Sequence, residues 1–167
     1  MLKQLKTAFF VIVAFGMSAC AFQFQHGQLM PKELQTLAFE SVDDYSEMSI
    51  AMRNQLKLNN INVVEGRKDI PVLRIVNTTT NDYVGSVFKH GREAEKLLML
   101  EVQARVYLPN KGDYPISSKV QRLFFDNARA ALAKSAEKEV IWQDMREQAA
   151  RQLIAKMASL QQQVQAK

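Results

Sequence analysis

The clearest pattern in this chain is a strict alternation of apolar and polar positions between residues 98 and 108. Every second residue is apolar, and these residues are Leu98, Leu100, Val102, Ala104, Val106 and Leu108. The residues between them are mostly polar, which is typical of an antiparallel strand with one covered face. Residues 109–112 have the composition of a turn, and Tyr114 to Phe125 follows as a returning strand. The pattern therefore predicts a long hairpin.

Two further strands and a helix are predicted ahead of this hairpin. The strands are Leu34 to Glu40 and the β-branched run from Pro71 to Thr80. Between them, apolar residues recur at three- and four-residue spacing, as on one face of a helix. This stripe comprises Tyr45, Met48, Met52 and Leu56, with Ala51 and Leu58 beside it. Asp44 is the expected N-cap with Glu47 in the capping-box position, and Asn59-Asn60 is the expected end.

A second, longer helix is predicted from Arg129 to Gln163. Its apolar residues lie mainly four apart and are Ile141, Met145, Ala149, Leu153 and Met157, joined by Val140, Ile154 and Leu160. Asp126 or Asn127 can cap its start. Neither Gly nor Pro interrupts the segment, and residues 164–167 are expected to fray.

The first 20 residues have the pattern of a bacterial export signal. Lys3 and Lys6 precede an apolar run from Ala8 to Gly16, which is too short to cross a bilayer. Two small residues, Ser18 and Ala19, then stand directly before Cys20. This order resembles a lipobox, in which the leader is cut before the cysteine and the cysteine is lipidated. An ordinary secretory signal with an incidental cysteine, or a buried N-terminal helix, are the alternatives.

The lipobox interpretation divides the chain into four parts. Residues 1–19 are a removed signal peptide, residues 20–33 a lipidated tether, residues 34–163 a single domain and residues 164–167 the tail. Cys20 is the only cysteine, so lipidation leaves no thiol for a disulfide. Three acyl chains form a firm membrane anchor. Ala21, where inner-membrane lipoproteins of enteric-type bacteria have Asp, resembles the residue of lipoproteins sorted to the outer membrane.

Positive charge is concentrated in one window of a chain whose formal net charge is +5. Nine basic and five acidic residues lie between Lys89 and Lys134; the basic ones are Lys89, Arg92, Lys96, Arg105, Lys111, Lys119, Arg122, Arg129 and Lys134. Solvated strand faces explain most such charges, and a patch for a polyanion is the functional alternative. An exported lipoprotein rarely meets nucleic acid, so we expect no nucleic-acid partner.

The chain carries little that indicates catalysis. Its two histidines, His26 and His90, have no metal-site spacing, and the cysteine is assigned to lipid. No phosphate loop or nucleophile motif is present in the sequence. We therefore expect a non-enzymatic protein without a metal or any cofactor other than the covalent lipid on Cys20.

Three segments carry a resemblance to a known family. They are residues 53–59 (RNQLKLN), residues 86–91 (SVFKHG) and, most specifically, residues 114–134 (YPISSKVQRLFFDNARAALAK). Together they resemble LptE, the lipopolysaccharide-assembly lipoprotein family, in the same order along the chain. The start departs from the family: its His-Leu-Arg run after the cysteine is missing here, and only the aromatic Phe22 is kept.

The resemblance implies a two-layer α+β sandwich, with two helices packed on one face of a roughly four-stranded, mostly antiparallel sheet. It also implies a non-enzymatic lipoprotein of the outer membrane, with its domain on the periplasmic side inside the lumen of the β-barrel LptD. There it plugs the barrel in a one-to-one complex, assists barrel assembly and binds lipopolysaccharide. The alternative is a free scaffold or carrier lipoprotein on the periplasmic face that binds another anionic envelope component.

The resemblance also indicates particular residues. Lys89 and Lys134, with Arg92 in support, match basic positions linked in the family to lipopolysaccharide, whose phosphates suit ammonium and guanidinium groups. Two exposed lysines without a role are the alternative. Phe88, Phe124 and Phe125 are the candidates for barrel contact. One of the adjacent pair Phe124-Phe125 is expected to close the domain core instead, because neighbours on a strand face opposite sides.

Overall fold

The computed structural model describes residues 30–66, 69–87, 93–126 and 131–165. In chain order, the elements are a 3-10 turn (Lys32–Leu34), strand β1 (Thr36–Ser41), helix α1 (Glu47–Leu58), strand β2 (Asn62–Val64), strands β3 (Val72–Val87), β4 (Glu93–Leu108) and β5 (Gly112–Phe125), and helix α2 (Ala131–Gln165). The predicted signal, Cys20 and most of the predicted tether lie outside the described residues. Met30, at the end of the predicted tether, is buried in the core.

The five strands form one mixed sheet in the order β2-β1-β3-β4-β5. Strands β3, β4 and β5 pair antiparallel, with β4 and β5 in register from Leu108 opposite Gly112 to Glu95 opposite Phe125. The hairpin turn needs left-handed backbone at Gly112, whose φ is +111°, and Asn110 adopts φ +60°. Strand β1 pairs parallel with both β2 and β3. The predicted α+β sandwich is confirmed, with five strands where roughly four were expected.

Both helices pack on the same face of the sheet. The helix-facing residues of β4 are the predicted alternating set, and each of the six is at most 2% exposed. The α2 residues Met145, Ala149, Leu153 and Met157 complete the core from the other layer, as the stripe predicted. The buried hydroxyl of Ser118 on β5 donates a 2.7 Å hydrogen bond to Gln152 Oε1 on α2 and is thereby satisfied.

The start of α1 differs from the prediction. Ser46, and not Asp44, is the N-cap, and its side chain accepts a hydrogen bond from the Ser49 backbone N–H. Asp44 instead pairs with Arg53. Ser46 is favoured because Ser49 is buried and bonds to Ser46, Ser41 and the Asp43 carbonyl, which ties the helix start to the end of β1. Asn60, with φ +56°, ends the helix as expected.

Three residues assigned to apolar stripes are exposed instead. Tyr45 precedes the first helical residue, Leu58 is the last residue of α1, and Val140 lies on the outer side of α2; they are 90%, 71% and 67% exposed. Met48, Ala51, Met52 and Leu56 are buried as predicted. Periodicity therefore identified the centre of each stripe correctly and its margins wrongly.

Candidate functional site at the hairpin end

Three of the candidate residues, Phe124, Phe125 and Lys134, lie at the end of the sheet away from the β4–β5 turn. We call this end, where β3 leads into β4, the hairpin end. It comprises the end of β3 at Val87, the start of β4 at Glu93, the end of β5 at Phe125 and the start of the described part of α2. Val87 pairs with Glu93, and Glu95 pairs with Phe125, so these three strand ends lie together. Phe88, Lys89 and Arg92 are outside the described residues, in the segment that joins Val87 to Glu93. Lys134, Phe124 and Phe125 are described.

Lys134 lies in the first turns of α2 with its ammonium directed toward the sheet. The Nζ atom is 5.5 Å from the centre of the Phe124 ring, a cation–π distance. The same atom is 2.7 Å from Glu137 Oε2, one turn along the helix. The Lys134 side chain is 25% exposed. Lys134 is therefore oriented by two neighbours and still reaches solvent.

Two more lysines surround this position. Lys138, four residues after Lys134 and so on the same side of α2, donates a 2.8 Å hydrogen bond to Asp82 on β3. Lys96 on β4 lies 3.6 Å from Asp126. The hydrogen bond from Lys138 and its charge lower the pKa of Asp82, burial opposes them in part, and the charge of Lys96 lowers the pKa further. The hairpin end thus holds three ammonium groups with carboxylates beside them.

The two adjacent phenylalanines face opposite sides of the sheet. Phe124 is 3% exposed and packs in the core under Lys134, so it is the ring of the pair that closes the domain core, as one ring was expected to do. The physical reason is that its register partner is Lys96 on the helix-facing side, where the ring closes the end of the core. Phe125 is 61% exposed and stays a candidate.

Phe125 adjoins other apolar side chains on the open face of the sheet. Tyr83, Leu97 and Leu123 are paired across β3, β4 and β5 and so share one face, two residues from Phe125. Tyr83 and Leu123 are each about half exposed. We call Tyr83, Leu97, Leu123 and Phe125 the apolar row. The hairpin end therefore has lysines on its helix side and an apolar surface on its open side.

Sequence reasoning missed Lys138, Asp82 and the apolar row. The four-residue spacing of Lys134 and Lys138 is a signal that could have identified Lys138. The contact with Asp82 joins residues 56 positions apart, and only the register of the folded sheet brings Asp82 to the helix side.

Two further observations concern metal binding and membrane spans. Within the described ranges, no group of three or more His, Cys, Asp or Glu side chains is placed to hold a metal ion. Neither described helix is long and apolar enough to span a bilayer. What the site offers is ammonium groups for an anion and an apolar surface for a partner.

Comparison with known proteins identifies the family. Residues 34–157 match the family model described as LptE, lipopolysaccharide-assembly. The chain is 43% identical to the LPS-assembly lipoprotein LptE of Yersinia pestis over 145 residues, covering 86% of this chain and 70% of the relative. It also resembles the crystal structure of rare lipoprotein B from Shewanella oneidensis, with 35% identity, a TM-score of 0.73 and coverage of 78% of this chain and 98% of that one.

A more distant structure shares the fold alone. The solution structure of lipoprotein B from Nitrosomonas europaea aligns with a TM-score of 0.63 at 18% identity, covering 80% of this chain and 91% of that one. The family model and the 43% identical relative together cover most of the chain. The chain belongs to the LptE family of lipopolysaccharide-assembly lipoproteins, whose function is non-enzymatic.

Proposed function

We propose that this protein is anchored to the outer membrane through lipid on Cys20, plugs the lumen of the LptD β-barrel, assists its assembly and binds lipopolysaccharide at the hairpin end. The observation that carries the proposal is the family match over residues 34–157. The geometry of the hairpin end supports it, because lysines and an exposed apolar surface lie on the two sides of one sheet end.

Lipopolysaccharide contact is assigned to Lys89 and Lys134, with Arg92 in support. Lys134 can present its ammonium to a phosphate because Phe124 supports it from below and Glu137 occupies only one of its directions. Residues 89 and 92 belong to the segment that joins Val87 to Glu93, and these two residues pair at the hairpin end. Charge-assisted contacts to phosphate are among the stronger hydrogen bonds, and several cations at one end suit a headgroup with several phosphates.

Barrel contact is assigned to Phe125 and the rest of the apolar row, with Phe88 retained as a prediction. Contiguous exposed apolar side chains are a feature of protein interaction surfaces. Phe125 and Leu123 lie at the end of β5 on the open face of the sheet, where no helix of the described fold covers them.

Co-purification in detergent tests the partner. The full lipidated chain should elute with LptD at a one-to-one ratio, and a photo-crosslinker at position 125 should capture the barrel. A crosslinker at position 124, one residue away but buried, is the matched control and should stay silent. A chain that elutes alone, while binding another anionic envelope component, would support the scaffold alternative instead.

Charge reversal tests the lipopolysaccharide site. The double variant Lys89→Glu, Lys134→Glu should weaken lipopolysaccharide binding and reduce its dependence on salt, because fewer ionic contacts remain to be screened. The control is the double variant Lys32→Glu, Lys57→Glu, which changes the net charge by the same amount at the opposite end of the sheet. It should bind lipopolysaccharide as the unmodified protein does. Equal affinity of the two double variants at low salt would contradict the assignment. Loss of LptD association in the first alone would place these lysines in the barrel interface.

A further inference from the structure

Strand β3 continues well beyond the strand that pairs with its outer edge. It has 16 residues, and β1 pairs with it only as far as Ser41 opposite Ile75. The chain then leaves the sheet toward α1, and a register shift between Ile75 and Asn77 marks the position. From Asn77 to Val84, none of the described strands pairs with β3 on the side away from β4.

The register shows which backbone groups this edge presents. The Ala38 N–H donates to the Pro71 carbonyl, so the backbone polar groups of Pro71, Leu73 and Ile75 point toward β1. The backbone N–H and C=O groups of the alternate residues point toward β4. Strand β4 pairs with β5 without interruption, so its alternation continues unchanged along its length. Beyond the bulge, Asn77, Thr79 and Asn81 therefore bond β4, and the backbone groups of Thr78, Thr80 and Asp82 point outward.

Between its two register shifts, this edge has neither Pro nor Lys to prevent strand addition. Edge strands are commonly protected by Pro, Lys or other charges. Residues 76–85 (VNTTTNDYVG) contain one charged residue, Asp82, and its carboxylate is bonded to Lys138 of α2. The β5 edge is different: Pro115 stands at an outward position, and Lys119 and Arg122 follow. Val76, Tyr83 and Val84 are 44–53% exposed, so the β3 edge is also accessible.

We propose that the β3 edge from Asn77 to Val84 is a strand-addition site for an uncharged extended segment of the barrel partner. Alternating N–H and C=O groups are satisfied by another extended backbone, which fixes the chemistry of the occupant. The absence of unpaired charge along the edge suits a segment of polar and β-branched residues. This inference rests on the proposed association with LptD and adds the mode of binding.

The size of the edge favours such a partner over a second copy of the chain. Eight paired residues bury on the order of a few hundred Å², below the roughly 1,200 Å² of a stable interface. A second copy that met this edge alone would bind weakly. A partner that also contacts the apolar row adds the missing area, because Tyr83 belongs both to that row and to this edge.

Hydrogen exchange on the purified complex is the direct test. The outward amides of Thr78, Thr80 and Asp82 should exchange fast in the free protein and become protected in the complex with LptD. The amides of Thr79 and Asn81, which already bond β4, are the internal control and should change little. A complex that forms while the outward amides stay unprotected would overturn the inference and leave the proposed function intact. A chain that forms no complex would overturn both.

Proline substitution tests the same edge by mutation. Thr80→Pro removes an outward N–H and no bond to β4, so the domain should fold and LptD association should fall at least tenfold. Thr80→Val keeps the N–H and should associate normally. Gln121→Pro, at an outward position of the β5 edge, is the matched control and should also associate. Equal loss in both proline variants would overturn the inference.

If Thr80→Pro does not fold, Thr80→Lys replaces it, with the same expected loss of LptD association. A concentration-dependent dimer of the free chain with the outward amides protected would identify a second copy as the occupant instead.

Discussion

Lys134 has two neighbours of different chemistry, and the difference decides how it responds to an anion. Phe124 lies beneath the ammonium and stays in place, whereas Glu137 is about half exposed and competes with any incoming phosphate. Replacing Glu137 with Gln removes that competitor and keeps the size of the side chain. An exposed ion pair is worth about 0.2–1 kcal/mol, so lipopolysaccharide affinity should rise about 1.4- to 5-fold, measured by titration at low salt.

Glu147→Gln is the matched control for this prediction. It removes the same charge from a helix position that pairs with Arg151. An equal rise in affinity for both variants would show a general charge effect and would remove the specific role of Glu137.

The contact between Asp82 and Lys138 makes the free energy of unfolding depend on pH. The pKa of Asp82 is lowered from 3.8, first by the hydrogen bond from Lys138 and then by that lysine's charge. A lowered folded-state pKa stabilises the domain above the unfolded pKa, and this contribution is lost as pH falls through the folded value. Both partners are partly exposed, so Asp82→Asn should cost about 0.5 kcal/mol at pH 7 and less at about pH 2.

Urea unfolding at the two pH values measures this difference. Lys138→Gln should cost a similar amount at pH 7, and the double variant should cost no more than either single one. A cost for Asp82→Asn that stayed the same at pH 2 would mean that the side chain acts through packing and not through its charge.

At the scale of elements, the alternation on β4 makes a sharp prediction about neighbouring residues. Leu100 is fully buried against the helices, while Glu101 faces the open side and bonds only to Gln103 among the contacts described. Leu100→Ala should cost about 2–5 kcal/mol because it removes buried contacts and leaves a cavity. Glu101→Ala should stay within about 0.5 kcal/mol. Denaturant unfolding of the isolated domain measures both, and equal costs would contradict the two-faced strand.

The elements that were predictable from sequence are those whose signal is local. The β4 alternation and the α2 stripe repeat over many residues, so burial on one face is visible in the sequence itself. Strand β2 has three residues, Asn62–Val64, too few for any period to appear. The parallel pairing of β1 with β2 and β3 depends on how α1 crosses the sheet, which no local pattern contains.

The same distinction applies to the site. The basic window and the Phe124-Phe125 pair were visible in the sequence, and alternation predicted that one ring of the pair is buried. Which ring is buried depended on the register of β4 and β5, where Phe124 stands opposite Lys96. The β3 edge was invisible for a similar reason, because it exists only where β1 stops pairing at Ile75.

At the scale of the molecule, the point where the described chain enters the fold and the candidate site lie at opposite ends. The chain enters the fold at Met30 and the turn Lys32–Leu34, beside the start of β1 and the far end of the β4–β5 hairpin, where Glu33 lies near Lys111. The lysines and the apolar row are at the hairpin end, the length of a 14-residue strand away. The described chain therefore begins at the end of the sheet opposite the hairpin end.

We predict that mutation can separate lipid attachment at Cys20 from folding of the domain. Cys20→Ser should abolish incorporation of labelled fatty acid and leave uncleaved precursor or a soluble, mislocalised protein, because the thiol that receives the lipid is lost. A chain that starts at Ala21 behind an ordinary signal should keep the thermal stability of the lipidated protein, since the described core begins at Met30. Mass spectrometry of the N-terminus, membrane fractionation and thermal unfolding measure the three effects. Labelled fatty acid on the Cys20→Ser protein would remove the anchor assignment, whereas a large loss of stability in the shortened chain would show that residues before Met30 belong to the fold.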